Sequence, residues 1–194
     1  MYIQTEDTPN PQSMKFAPGQ PILGAGAAGR DFPKAETAVA SPLAAALFEV
    51  EGVGGVYLGA DFVTVTKEEG VEWMHVKPAI LGVIADHLLA GLPVLAEGAA
   101  PSAGPATSLD EYEGEDREVV EQIIDLIATR VRPAVAADGG DIVFKHYEPR
   151  TGVVFLSLHG ACSGCPSSTM TLKAGIENML KHYVPEVVKV EAVA

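Results

Sequence analysis

Cysteine is nearly absent from this chain: Cys162 and Cys165 are the only two among 194 residues. So few thiols make no disulfide framework, and two are short of the roughly four ligands that a tetrahedral soft-metal centre takes. Positive charge is also scarce. Lys and Arg number 13 against 26 Asp and Glu, for a formal net charge of -13. Phosphate binding needs clustered cations, so nucleic acid and anionic membrane surfaces are not expected partners. Long apolar runs are missing too. The longest stretch free of charged residues, Thr151 to Leu172, is interrupted by His159, Gly160, Gly164, Pro166 and several hydroxyls, so no membrane span is expected. The first residues, Met1 to Asp7, show neither the basic-then-apolar pattern of a signal peptide nor the Arg-rich character of a transit peptide. The sequence reads as cytoplasmic, with a mature organellar form left open.

A 47% hydrophobic content is enough to build a core. The composition changes in the middle. Gly98 to Leu109 is uncharged and rich in Ala, Pro and Gly, and an acidic run from Asp110 to Asp116 follows. This reads as a flexible linker over residues 96–115 between an N-terminal domain, 1–95, and a C-terminal domain, 116–194. The fold class expected is α+β, with two small α/β-layer domains joined by that Ala/Pro/Gly linker.

In the C-terminal domain, Val120, Ile123, Ile124, Ile127 and Val131 recur at helical spacing. The helix extends past Pro133 through Ala134 to Ala137, and the paired glycines in Asp138-Gly139-Gly140-Asp141 end it. Ile142 to Tyr147 and Val153 to His159 read as a hairpin about Glu148 to Gly152. Leu172, Ile176, Met179, Leu180 and Tyr183 form a second helical stripe, and Val187 to Val193 a last strand. The order is α-β-β-α-β. In the N-terminal domain, Tyr2-Ile3 and Met14-Lys15-Phe16 flank a turn-rich loop, Thr8 to Gln12. Leu43 to Val50 reads as a helix after Ser41-Pro42, Val53 to Leu58 and Phe62 to Thr66 as strands, and Trp73 to Leu89 as a final helix. The sole tryptophan, Trp73, is best explained by packing. Gly24 to Gly29 superficially matches a dinucleotide-binding pattern but lacks the strand before it and the long helix after it, so it reads as a loop.

The chemistry gathers at Cys162-Ser163-Gly164-Cys165-Pro166. This CxxC leaves a strand and enters a helix, with Cys165 as N-cap and Pro166 as first helical residue. A helix N-terminus favours thiolate, and Gly160 and Gly164 leave the backbone approachable. In a reducing compartment such a pair binds metal or exchanges disulfides more often than it forms a structural bridge. Cys162 and Cys165 are thus the candidate ligands, and a second chain must help if they hold a cluster. His159 could add a third ligand, but its alternation with Leu158 fits a strand-face histidine better. Nothing in the N-terminal domain groups as a catalytic constellation.

Two segments carry a family resemblance. Val131 to Asp141, together with Gly160-Ala161-Cys162-Ser163-Gly164-Cys165-Pro166 and on to Lys173, resembles the C-terminal domain of the NifU family. Thr8-Pro9-Asn10-Pro11-Gln12-Ser13-Met14-Lys15-Phe16 resembles the N-terminal domain that accompanies it in Nfu-type proteins. The resemblance implies a scaffold or carrier, and no enzyme. It implies a labile [4Fe–4S] cluster, with a [2Fe–2S] form left open, ligated by Cys162 and Cys165 from each of two chains. The implied partners are a second copy in a cluster-bound homodimer, upstream cluster-assembly proteins, and the apo iron–sulfur proteins that receive the cluster. The rival readings are a thiol–disulfide oxidoreductase using the same pair, and a dimer bridged by structural zinc.

Overall fold

The computed structural model describes residues 1–24, 27–98, 109–163 and 166–193, with residues 166–168 described by backbone alone. Ala25 and Gly26 of the glycine-rich loop, residues 99–108 of the expected linker, and Gly164 and Cys165 lie outside the described residues.

Eight strands and five α-helices alternate along the described chain. The N-terminal five are β1 (Gln4–Asp7), β2 (Ser13–Ala17), β3 (Arg30–Phe32), β4 (Val53–Leu58) and β5 (Val63–Lys67). They form an antiparallel sheet of order β1-β2-β5-β4-β3. Helices α1 (Pro42–Phe48) and α2 (Trp73–Leu89) complete this domain. Ser41 starts α1 as its sequence predicts: its Oγ accepts the Ala44 N–H at 3.0 Å, and Pro42 occupies the first turn, where no amide hydrogen is needed. Phe16, Leu43, Leu47, Leu58, Ile80 and Ile84 are fully buried and make one core.

Three elements differ from expectation. The first strand lies at Gln4–Asp7 rather than at Tyr2-Ile3; it is a polar edge strand without a hydrophobic signature. The short strand β3 and the 3-10 helix Ala35–Ala40 were not foreseen, since three residues of strand and a run of alanines give no usable period.

The C-terminal domain has the expected order. A helical stretch runs through α3 (Gly114–Leu126), a π-helical turn (Ile127–Val131) and α4 (Arg132–Ala137). The widening falls just before Pro133, whose ring would crowd the Thr129 carbonyl in a regular helix. Strands β6 (Gly140–Glu148) and β7 (Val153–Gly160) pair antiparallel, and α5 (Pro166–Tyr183) crosses over to β8 (Lys189–Val193), which lies parallel to β7. β7 is therefore central. The hairpin closes at Gly152, whose φ of 68° favours a residue without a side chain and whose N–H donates to the Glu148 carbonyl at 2.8 Å. Val120, Ile123, Ile142, Leu156 and Leu180 centre the second core. Leu109 and Tyr112, late in the stretch read as linker, also join it. No helix among the described residues is long and apolar enough to cross a membrane.

Candidate functional site

Three glycines shape the cysteine loop. α4 ends at Gly139 (φ 79°), whose carbonyl accepts the Ala161 N–H at 3.2 Å. β7 ends at Gly160 (φ 64°), whose carbonyl accepts both the Ser163 N–H (3.1 Å) and the Ser163 hydroxyl (2.8 Å). Gly140, paired opposite Gly160, vacates the space that the Cys162 sulfur fills: a Cβ there would stand 2.6 Å from Sγ. From the first turns of α5, Thr169 Oγ1 donates to the Cys162 carbonyl at 3.1 Å. The backbone around Cys162 is thus held on both sides, as the strand-to-helix reading requires.

The thiol itself departs from expectation. Cys162 is only 8% exposed and belongs to the C-terminal core. Burial, reinforced by the Asp138 and Asp141 carboxylates, pushes its pKa up to about 11. These surroundings favour the thiol, where the helix N-terminus argued for thiolate. α5 does open at Pro166, as predicted; Cys165, the expected cap, lies outside the described residues.

Asp141 sits behind this loop at the start of β6. Its carboxylate takes a two-pronged bond from Arg132, with Nε at 2.8 Å and Nη2 at 2.7 Å, and also accepts the Ile142 N–H at 2.8 Å. The Arg132 pKa rises, chiefly through that hydrogen bond. Tyr57 of β4, in the other domain, lies beside Asp141; burial first, then the Asp141 charge, raises its pKa far above the ordinary phenol value.

His159 lies on β7, with Nδ1 3.1 Å from Asp31 Oδ2 of β3. It faces the N-terminal domain, in keeping with the strand-face reading. Among the described residues no group of three or more His, Cys, Asp and Glu side chains could hold a metal. Tyr112 bonds to His146 Nδ1 at 2.9 Å, and His87 Nε2 lies 3.0 Å from the Pro93 carbonyl, so both histidines have structural partners.

The N-terminal domain meets the site directly. Asn10 Nδ2 donates to the Ser163 carbonyl at 3.3 Å, Thr64 Oγ1 to the Gly139 carbonyl at 2.6 Å, and Lys15 Nζ to the Ala137 carbonyl at 3.2 Å. These contacts were not legible in the sequence. Asn10 lay within a recognisable motif, but nothing about a Pro-Asn-Pro loop says what it faces. A cavity of about 470 Å³ opens between the domains, bordered by Phe32, Ile127, Arg132, Asp141, Phe144 and Lys145.

The geometry defines a two-domain α+β protein with a loop thiol held at the domain junction. Residues 3–91 match the family model described as scaffold protein Nfu/NifU N terminal, and residues 123–191 match the NifU-like domain. The NFU1 iron-sulfur cluster scaffold homolog, mitochondrial, of Drosophila sechellia is 53% identical over 100% of this chain and 65% of that protein. NifU-like protein 5, mitochondrial, of Arabidopsis thaliana is 49% identical over 98% of this chain and 67% of that protein. A solution structure of a NifU-like protein from Saccharomyces cerevisiae aligns at 27% identity with a TM-score of 0.46, covering 50% of this chain and 86% of that one. The chain belongs to the Nfu/NifU-like family. It spans about two thirds of the length of these two named relatives.

The relatives' names correct the cytoplasmic expectation, since both are called mitochondrial. The physical reason is simple: an acidic composition and a CxxC pair suit any reducing compartment and do not separate cytosol from organelle.

Proposed function

We propose that this protein is an iron–sulfur cluster scaffold and carrier whose cargo, a labile [4Fe–4S] cluster, is held by Cys162 and Cys165 of two chains. The observation that carries the reading is the placement of Cys162 on a glycine-shaped strand-to-helix loop, with no third ligating side chain gathered there among the described residues. Four soft ligands then call for two copies of the loop, as a two-fold dimer provides. The names of the relatives support the scaffold role and an organellar setting.

Delivery on this reading is ligand exchange. Each bond from iron to a scaffold thiolate breaks as a bond to a recipient thiolate forms, and the proton lost by the incoming thiol returns to the departing one. No net redox change is needed, and no catalytic group is required. Burial of the apo Cys162 thiol, which raises its pKa, weighs against disulfide exchange as the function, since the best attacking thiols ionise near ambient pH.

Anaerobic reconstitution with iron and sulfide tests this, with absorption spectra, iron and sulfide counts, and sizing of the coloured species. The outcome expected is a brown dimer with about four irons per two chains. A colourless monomer after reconstitution, or about one zinc per dimer instead, overturns it.

A further inference from the structure

The loop that carries Cys162 is not held by its own domain alone. Asn10 is 3% exposed, and the two ends of its amide do different jobs. Oδ1 accepts the Gln12 N–H at 3.0 Å within its own loop, while Nδ2 reaches across to the Ser163 carbonyl. Thr64, 1% exposed, donates across the same boundary to Gly139, whose carbonyl also receives the Ala161 N–H. The N-terminal domain therefore acts on both flanks of Cys162, directly at Ser163 and through Gly139 at Ala161.

The fit is close. A Cβ on Gly139 would stand 2.9 Å from Thr64 Oγ1, and one on Gly160 would stand 3.1 Å from Tyr57 Cγ. With the loop clasped this way, the Cys162 sulfur points into its own core and is nearly inaccessible. A sulfur so placed cannot share an iron with another chain until the loop moves.

We infer that the N-terminal domain is a latch on the cysteine loop: Asn10 and Thr64 hold it with the thiol buried, and their release from Ser163 and Gly139 admits the cluster and the second chain. The inference rests on the reading of Cys162 as a cluster ligand. It gives the N-terminal domain a role in loading that needs no ligating group of its own. Opening breaks few polar contacts, and water can satisfy both the freed donors and the freed carbonyls, so the latch is weak enough to yield to a partner.

The test uses the full chain carrying Cys165→Ser, so that only Cys162 reacts, and follows iodoacetamide alkylation by intact mass without iron. Asn10→Asp keeps an acceptor for Gln12 and removes the donor to Ser163. Thr64→Val keeps the branched shape that suits β5 and removes the hydroxyl, while Thr64→Ser restores it. Asn10→Asp and Thr64→Val should each speed alkylation by about three- to tenfold, the worth of one hydrogen bond, with Thr64→Ser within about twofold of the parent. Unchanged rates in all variants overturn the latch. So does a Thr64→Ser rate as fast as that of Thr64→Val, which would mean general loosening. If Asn10→Asp disturbs its own domain, as circular dichroism would reveal, the Thr64 pair decides alone. Since this readout needs no cluster, it stands or falls separately from reconstitution.

Discussion

A buried thiol responds to pH in the opposite sense from a salt-bridged carboxylate. The Cys162 pKa is raised from 9.0 to about 11 in the folded apo-protein. Below pH 9 the thiol is neutral whether the chain is folded or not, and it contributes nothing to pH dependence. Between pH 9 and about 11 the unfolded chain gives up the proton while the folded one keeps it, so stability falls as pH rises, by an amount on the order of 2 kcal/mol. Urea unfolding of the apo-protein from pH 8 to 10 checks this, with Cys162→Ser as the variant whose decline should be shallower; above pH 10 the tyrosines whose pKa values are also raised add a decline of their own. The same serine substitution, or Cys165→Ser, is expected to abolish cluster binding while leaving the far-UV spectrum unchanged; normal cluster occupancy in either would end the carrier reading. Gly160→Ala is expected to be costly for a different reason. Its φ of 64° disfavours any side chain, and the new Cβ would meet the Gly139 carbonyl at 2.7 Å. A loss of about 1–3 kcal/mol in urea melts is the expected result.

At the level of elements, α4 and β6 are joined by more than their turn. Arg132 near the start of one clasps Asp141 at the start of the other, and Tyr57 lies beside the pair. Asp141→Ala leaves the Ile142 N–H and the Arg132 guanidinium without this acceptor, so a destabilisation of about 2–4 kcal/mol is expected. Asp141→Asn should recover part of it, because the amide oxygen can still accept the Ile142 N–H. Elements like these were partly legible. Helix α2 spans the Trp73–Leu89 range read from the sequence, and the Gly152 turn lies where the glycine signal placed it, because long amphipathic periods and turn residues are local properties. Strand β3 was not legible, since Arg-Asp-Phe owes its conformation to pairing with β4 rather than to itself. The thiol's protonation was misjudged for a related reason. The helix N-terminus is visible in sequence, but the burial that favours the thiol comes from packing.

For the whole molecule, the two hydrophobic cores are separate sets of residues, joined through polar and glycine contacts rather than a shared apolar layer. Damage to one core should therefore stay largely within it. Leu180 is fully buried, and Leu180→Ala is expected to remove about 2–5 kcal/mol from the C-terminal domain. Hydrogen exchange should show faster amides in β6 and β7, with β2 and β5 close to their parent rates; equal acceleration in both sheets would mean one cooperative unit. The polar contacts that join the two domains could not be read in advance, because Asn10 and Ser163 lie 153 residues apart and meet only in the folded chain.

Trp73, the only tryptophan, donates its indole N–H to the Pro11 carbonyl at 3.1 Å, one residue from Asn10. The protein's indole emission therefore has a single source, fastened to the loop that reaches Ser163. A shift in that loop changes the polarity around one fluorophore, and a bound iron–sulfur chromophore, which absorbs where indole emits, would quench it by energy transfer. The unlabelled chain thus carries its own optical gauge, in which wavelength follows the loop and intensity follows the cargo.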